Sequence, residues 1–248
     1  MEERYRRGCE AVKRAVLFLL ILIMCLLDAA ADPFSTHVSA VILDAGHGGK
    51  DPGASANGLE EKELTLEIVM KLKAELEDRG YEVILTRSDD SYLELGERSD
   101  IANSADFDIS GFPVFISIHI NSAVSASASG FEVYVKRSDH DVAMLSPSSG
   151  DKLMLKYAGY DNASLNYFLN RVNLRLASLI CSGFSEEFPS LSMRGVKSED
   201  FYVLNTAWMP AVLVEVLFIS NRDDARMMAD DGFQRSLASV IADAVDNL

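Results

Sequence analysis

Three side chains able to bind or serve a metal sit where apolar stretches stop, and a fourth opens a helix. His47 follows VILDAG, His119 closes VFISIH, Glu215 closes AVLVE, and Glu61 begins a helical pattern after a loop holding Gly46, Gly48, Gly49, Pro52 and Gly53. A polar residue ending one buried strand is commonly a satisfied rim residue. Three such strands in one α/β sheet, whose strand ends gather in space, point instead to chemistry. Two histidines and a carboxylate beside an open position form the ligand set of a hydrolytic zinc site. The ligands are scattered along the chain, unlike the paired histidines on one helix found in many metalloproteases, so spacing alone is a weak signal. Glu61 is ambiguous on physics, because Glu60 and Glu63 also suit a helix N-terminus. His37, in the lead segment, and His140, in an irregular stretch, are poorer candidates. No serine occupies a GxSxG elbow, and Cys181 lies mid-helix, which disfavours a nucleophilic mechanism.

The elements that must position these residues follow from periodicity. Ala40–Asp44 reads as a buried strand, and Glu60 to Arg79 as a helix with Leu64, Ile68, Leu72 and Leu76 on one stripe and Gly80 as its stop. Tyr81–Thr86 returns as a strand, completing a βαβ unit. A helix from about Leu93 to Ser104 precedes strands at Val114–His119 and Gly130–Val135. Residues 138–165 form a long, weakly patterned connection of the kind used for lids or flexible insertions. A helix resumes over about Ser164–Phe184. Phe201–Leu204 and Ala211–Val216 read as further strands, and helices at about Asn221–Met228 and Phe233–Val245 close the chain. Strands alternating with helices predict a single α/β domain with a central, mostly parallel sheet.

Composition sets the address. Arg4, Arg6, Arg7, Lys13 and Arg14 precede an apolar run from Ala15 to Leu27 and then Ala29–Ala31, which is the layout of a secretory signal peptide over residues 1–31. The run is short for a transmembrane helix. Glu2, Glu3 and Glu10 dilute its basic end, which leaves an uncleaved anchor as the alternative. Cys25 follows Met24 and not a small residue, so lipidation is not expected. The mature domain, 32–248, is thus read as exported, periplasmic or cell-wall associated, with no stable membrane span after cleavage. Net charge is −15, and removing residues 1–31 takes away five basic and four acidic residues, leaving −16. That charge disfavours nucleic acid and anionic membrane surfaces. Only Cys181 remains in the mature domain, so no intrachain disulfide forms there.

The ordered motifs DAGHGGKDPGA (Asp44–Ala54), EKE (Glu61–Glu63), Thr86-Arg87, Glu97-Arg98, SIHINS (Ser117–Ser122), GFEVYV (Gly130–Val135), RGVK (Arg194–Lys197), FYVLN (Phe201–Asn205) and MPAVLVEVLFISN (Met209–Asn221) resemble the zinc-dependent N-acetylmuramoyl-L-alanine amidases of bacterial cell walls. The resemblance covers nearly all of the mature chain and implies a single α/β domain whose central sheet is mixed, mostly parallel and of about six strands, flanked by helices. It implies Zn2+ held by His47, Glu61 and His119, with Glu215 as the catalytic glutamate, and peptidoglycan as substrate, cut between N-acetylmuramic acid and L-alanine. Asn121 is a candidate for orienting substrate or ligand side chains, and Arg98 for a structural partner inside the domain.

Three departures from the family pattern carry expectations of their own. Val216-Leu217 follows Glu215 where small residues are more usual, which predicts a narrower floor beside the base. Residues 104–113 form a longer link into the SIH strand. The 138–165 stretch stands where some members carry a helix covering the zinc site until an activator protein removes it, so it is read as a regulatory lid or a mobile loop. Two other functions fit the same residues: a zinc peptidase acting within the peptidoglycan stem, and a non-catalytic peptidoglycan-binding module.

Overall fold

Three apolar runs fix the centre of the sheet. In the computed structural model, which describes residues 32–34, 36–146 and 149–248, they form β1 (Val38–Ala45), β5 (Phe112–Asn121) and β8 (Ala211–Phe218). Val41, Ile42, Leu43, Val114, Ile116, Val212 and Val214 are fully buried, as expected of parallel strands covered on both faces. Thr36–Leu248 forms one compact unit. Residues 1–31, where the signal peptide is expected, lie outside the described residues.

A two-stranded ribbon, β2 (Ser55–Ala56) and β3 (Leu59–Glu60), tops the glycine loop. Beyond it run α1 (Glu61–Asp78), β4 (Glu82–Leu85), α2 (Leu95–Asn103), β6 (Phe131–Lys136), α3 (Gly150–Lys156), α4 (Asn162–Glu187), β7 (Met193–Glu199), α5 (Tyr202–Thr206), α6 (Arg222–Met228) and α7 (Asp231–Asp246). The main sheet has six strands in the order β4-β1-β5-β8-β6-β7. Every pairing is parallel except β6 with β8. The expected mixed, mostly parallel sheet is therefore present.

The two faces are covered unequally. Long helices α1, α4 and α7 pack together over one face, with the α1 stripe buried through Leu64, Ile68, Val69, Leu72 and Leu76. Among the described residues the other face carries the short α2 and α5, closed by a cluster of Ile42, Ala102, Phe115, Val203, Leu204 and Leu213. Side chains alternate along a strand, so Asp44 shares the face of Ile42, Ser117 and His119 that of Phe115, and Glu215 that of Leu213. The thin face thus holds the chemistry-bearing residues beyond the ends of its cover.

Two sequence expectations need correction. Phe201–Leu204 is not a strand: Phe201 is the N-cap of α5, and Val203 and Leu204 point into the core as a helical pair. The sixth strand is β7, an edge strand whose MRGVKSE sequence has no apolar alternation and is only partly buried. A strand paired along a single side needs little hydrophobic patterning, which is why periodicity passes over it.

The described residues of 138–165 pack away from the carboxyl ends of the strands. Val142 and Met144 are buried, and the Asn166 side chain pins Val142 through both its backbone N–H and its carbonyl. Helix α3 packs on the link entering β5: Lys156 Nζ donates to the carbonyls of Ile109 and Gly111, and Lys152 pairs with Asp106. That is the amino end of β5, while His119 lies toward its carboxyl end, about 20 Å away at roughly 3.3 Å per residue.

Candidate metal centre

His47, Glu61 and His119 converge. One ligand atom from each lies within 4.8 Å of the others, and among the described residues this is the group of histidine, cysteine and carboxylate side chains able to hold an ion. His47 Nε2 is 3.2 Å from Glu61 Oε1 and His119 Nδ1 is 3.1 Å from the same oxygen. The two rings meet edge to face with centroids 5.0 Å apart. His37 and His140 are not in the cluster.

Local structure explains how each side chain arrives. The loop after β1 turns back on itself through the Gly48–Asp51 bridge. Glu61 Oε2 accepts from Ala54 N at 2.9 Å and Oε1 from Ile120 N at 2.9 Å, which fixes the carboxylate between loop and strand. Two glycines make room for this. A Cβ on Gly46 would lie 2.5 Å from the His119 ring, and one on Gly53, where φ is +65°, would lie 2.6 Å from both Glu61 and the His47 ring. The glycines therefore serve close approach of the ligands as much as backbone freedom.

His47 itself has φ of +60°, a left-handed conformation costing a non-glycine residue about 1–3 kcal/mol. Two arginines hold it there. Arg98 Nη2 donates to the His47 carbonyl and Nη1 to that of Ala45, each at 2.6 Å. Arg87 donates to the carbonyls of Ala45 and Gly46 at 2.9 and 2.8 Å. Arg98 Nη1 also meets the fully buried Asp44 at 2.7 Å, and Thr86 and Ser117 donate to the same carboxylate at 2.6 and 2.7 Å. Burial opposes the Asp44 charge, but Arg98 and the two hydroxyls outweigh it and hold its pKa below the usual carboxylate range. Arg98 is thus a structural partner, as its sequence context suggests.

Electrostatics identify what the cluster wants. Burial disfavours a charged His47, yet Glu61 and Asp51 prevail and push it up to about 9. His119 is raised for the same reason, with Glu61 and Glu215 against burial. Glu61 is held well below its usual value by the two histidines despite its burial. A carboxylate drawing protons onto two imidazoles is a site whose charge a cation would satisfy. Asp51 Oδ2 sits 2.8 Å from His47 Nδ1, leaving Nε2 for an ion, the usual partnership of a carboxylate behind a ligating histidine. The donor chemistry fits zinc.

Glu215 is the register partner of His119 on the neighbouring strand, and its Oε2 is buried with no hydrogen-bond partner. Burial, aided by Glu61 and Glu132, pushes its carboxyl up to about 7. It faces, with His47 and His119, a cavity of about 300 Å³ walled by Tyr92, Leu95, Phe201 and Tyr202 among others. Val216 and Leu217 are fully buried and do not line this cavity, so the expected narrowing of its floor does not occur. Alternation turns Val216 to the opposite face. Among the described residues, none of 138–165 lines it either.

Asn121 is not one of the three clustered donors; its Nδ2 donates to Glu132 Oε1 at 2.5 Å. Glu132, directly across from Glu215 in the β6–β8 pairing, is a residue that sequence reasoning did not single out. Asp51 and Arg87 were missed as well. The signal for Asp51 is its place four residues after His47; Glu132 offers none beyond its motif.

A family profile described as N-acetylmuramoyl-L-alanine amidase matches residues 41–247. The endolysin of Bacillus phage SPP1 is 36% identical over 209 residues, spanning 83% of this chain and 64% of that protein. Among solved structures, the catalytic domain of CwlV, an N-acetylmuramoyl-L-alanine amidase from Bacillus (Paenibacillus) polymyxa var. colistinus, superposes with a TM-score of 0.65 at 30% identity, covering 85% of this chain and 97% of that one. The CwlD amidase of Clostridioides difficile, solved in complex with the GerS lipoprotein, gives 0.66 at 25% identity over 84% and 97%.

Proposed function

The chain belongs to the N-acetylmuramoyl-L-alanine amidase family, hydrolases of the amide that joins N-acetylmuramic acid to L-alanine in peptidoglycan, and we propose that it makes this cut with His47, Glu61 and His119 holding Zn2+ and Glu215 handling the proton. The observation that carries the reading is the convergence of three donor atoms within 4.8 Å beside a buried carboxylate oxygen that has no partner.

When bound, zinc supplies Lewis acidity, lowering the pKa of water and polarising a carbonyl. The remaining work falls to this chain. Asp51 keeps the His47 ring in one orientation through Nδ1, so that Nε2 faces Glu61 and His119. Glu215 takes a proton from the attacking water and returns it to the departing alanine nitrogen, a task suited to a carboxyl poised near neutrality. Leu95 and Tyr202, both exposed, give the cavity an apolar side against which substrate can pack.

Peptidoglycan lies outside the cytoplasmic membrane, so the substrate agrees with export directed by residues 1–31. Among the described residues no helix is long and apolar enough to cross a membrane. A protein partner of the kind bound by the C. difficile relative would meet 138–165 at the far end of β5 and act from there, not by lifting a cover off the cavity.

Digestion of purified peptidoglycan, with and without chelator and with products identified by mass, tests the reading. Zinc-dependent release of peptides beginning at alanine is expected. Cuts within the stem would assign a peptidase, and binding without products would leave a wall-binding module.

A further inference from the structure

Glu132 is almost fully buried, and its carboxylate is saturated. Asn121 and Tyr134 donate to Oε1 at 2.5 and 2.9 Å. Arg194 Nε donates to Oε2 at 2.7 Å, and Lys197 Nζ pairs with the same oxygen. The two cations come from edge strand β7, and their side chains are 39% and 37% exposed against 3% for Glu132. One buried negative charge thus anchors two positive charges whose outer surfaces face solvent. The surplus cation stands out on a chain of net charge −15. The acidic neighbour Glu199 is occupied with the backbone N–H of Asp200.

The placement is what gives this pair a use. His119, Glu215 and Glu132 form a row across β5, β8 and β6, and β7 lies next in order. Two strand spacings separate Glu215 from β7, roughly 10 Å. An extended peptide covers that distance in two to three residues at about 3.5 Å each. The route is lined: Phe201 walls the cavity, the Tyr134 ring meets Phe201 edge to face at 5.1 Å, and Lys197 Nζ lies 5.7 Å from the Tyr134 ring centre. Arg194 in turn stacks over Phe218 at 5.0 Å, which holds its guanidinium plane in place.

We infer that Arg194 and Lys197, seated on Glu132, form an anion subsite that receives a carboxylate of the substrate's peptide two or three residues from the scissile amide. The inference rests on the amidase reading, which puts the stem's first amide at Glu215 and its second and third residues across the row. Glu132 serves as the positioning residue that preorganises both cations. A guanidinium and an ammonium side by side recognise a carboxylate by charge-assisted hydrogen bonds, and the carboxylate comes from either the second or the third residue of the stem.

Titration calorimetry of the zinc-loaded chain with alanyl-γ-D-glutamyl-lysine settles both points. Three forms are compared: both carboxylates free, the second residue's carboxylate amidated, and the third residue's amidated. Amidation at one of the two positions is expected to weaken binding about tenfold or more, and the position names the source. Arg194→Gln and Lys197→Gln, each leaving one cation on Glu132 so that the strand pair stays satisfied, are expected to erase most of that discrimination, while Lys197→Arg retains it. Equal affinity for all three peptides, or discrimination that survives both substitutions, would overturn the subsite. Hydrolysis of the matching muramyl peptides separates the two readings. Cleavage without discrimination keeps the amidase and removes the subsite; discrimination in binding without cleavage keeps the subsite and removes the amidase.

Discussion

Glu215 and Glu132 are register partners on adjacent strands, yet Glu132 accepts hydrogen bonds from four side chains while Glu215 Oε2 has no partner at all. Burial opposes the charge on both. Lys197, Arg194 and Tyr134 overcome it at Glu132 and keep that carboxylate below its usual range; nothing comparable does so at Glu215, which rises to about 7. The two environments leave Glu132 a fixed anion and Glu215 a carboxyl that exchanges its proton near neutrality. In metal-free protein, carbon-detected NMR of labelled glutamate should therefore show one buried carboxyl titrating near 7 that is lost in Glu215→Gln. A Glu215 carboxyl titrating at its ordinary value of 4.5 would contradict the assignment.

Gly46→Ala should cripple the metal site without touching a ligand. The new Cβ would meet the His119 ring at 2.5 Å, and overpacking of this kind costs about 1–3 kcal/mol. A lower melting temperature together with weaker zinc retention in a chelator competition is expected. Zinc retention equal to the parent would show that His119 is free to move.

Asp44 sets an acid limit on stability. Its folded pKa lies below the usual 3.8, so its contribution is fully present above pH 3.8 and is lost as pH falls through the folded value. Thermal melts should fall steeply below about pH 4 in the parent. In Asp44→Asn the slope should flatten. That variant should also lose about 3–5 kcal/mol at neutral pH, because Arg98 is left buried without its counter-charge.

Cys181 should be nearly inert. It is buried, and burial pushes its thiol up to about 11, so little thiolate exists at pH 8. Labelling by an aromatic disulfide reagent should be slow in folded protein and fast in denaturant.

Much of the centre is legible in the chain itself. Apolar strands that stop at His47, His119 and Glu215 announce a sheet with polar strand ends, and the stripe of α1 announces the helix that returns Glu61. What periodicity cannot read is pairing between distant residues. Asp44 looks like any strand-end carboxylate until Arg98, 54 residues on, closes over it. β7 is hidden because an edge strand with Arg194, Gly195 and Lys197 has no reason to alternate apolar residues. FYVLN carries aromatic and branched residues typical of strands, but packing of Val203 and Leu204 against Ile42, Phe115 and Leu213 holds it as one short helical turn.

The proposed mechanism gives the proton to Glu215 and leaves the metal to His47, Glu61 and His119. Glu215→Gln tests it most directly, with zinc content and stem-peptide release measured on the same preparation. Full zinc occupancy with release lowered at least about a thousandfold is expected, on the scale of losing a general acid–base group. Release at the parent rate with zinc in place would contradict the account.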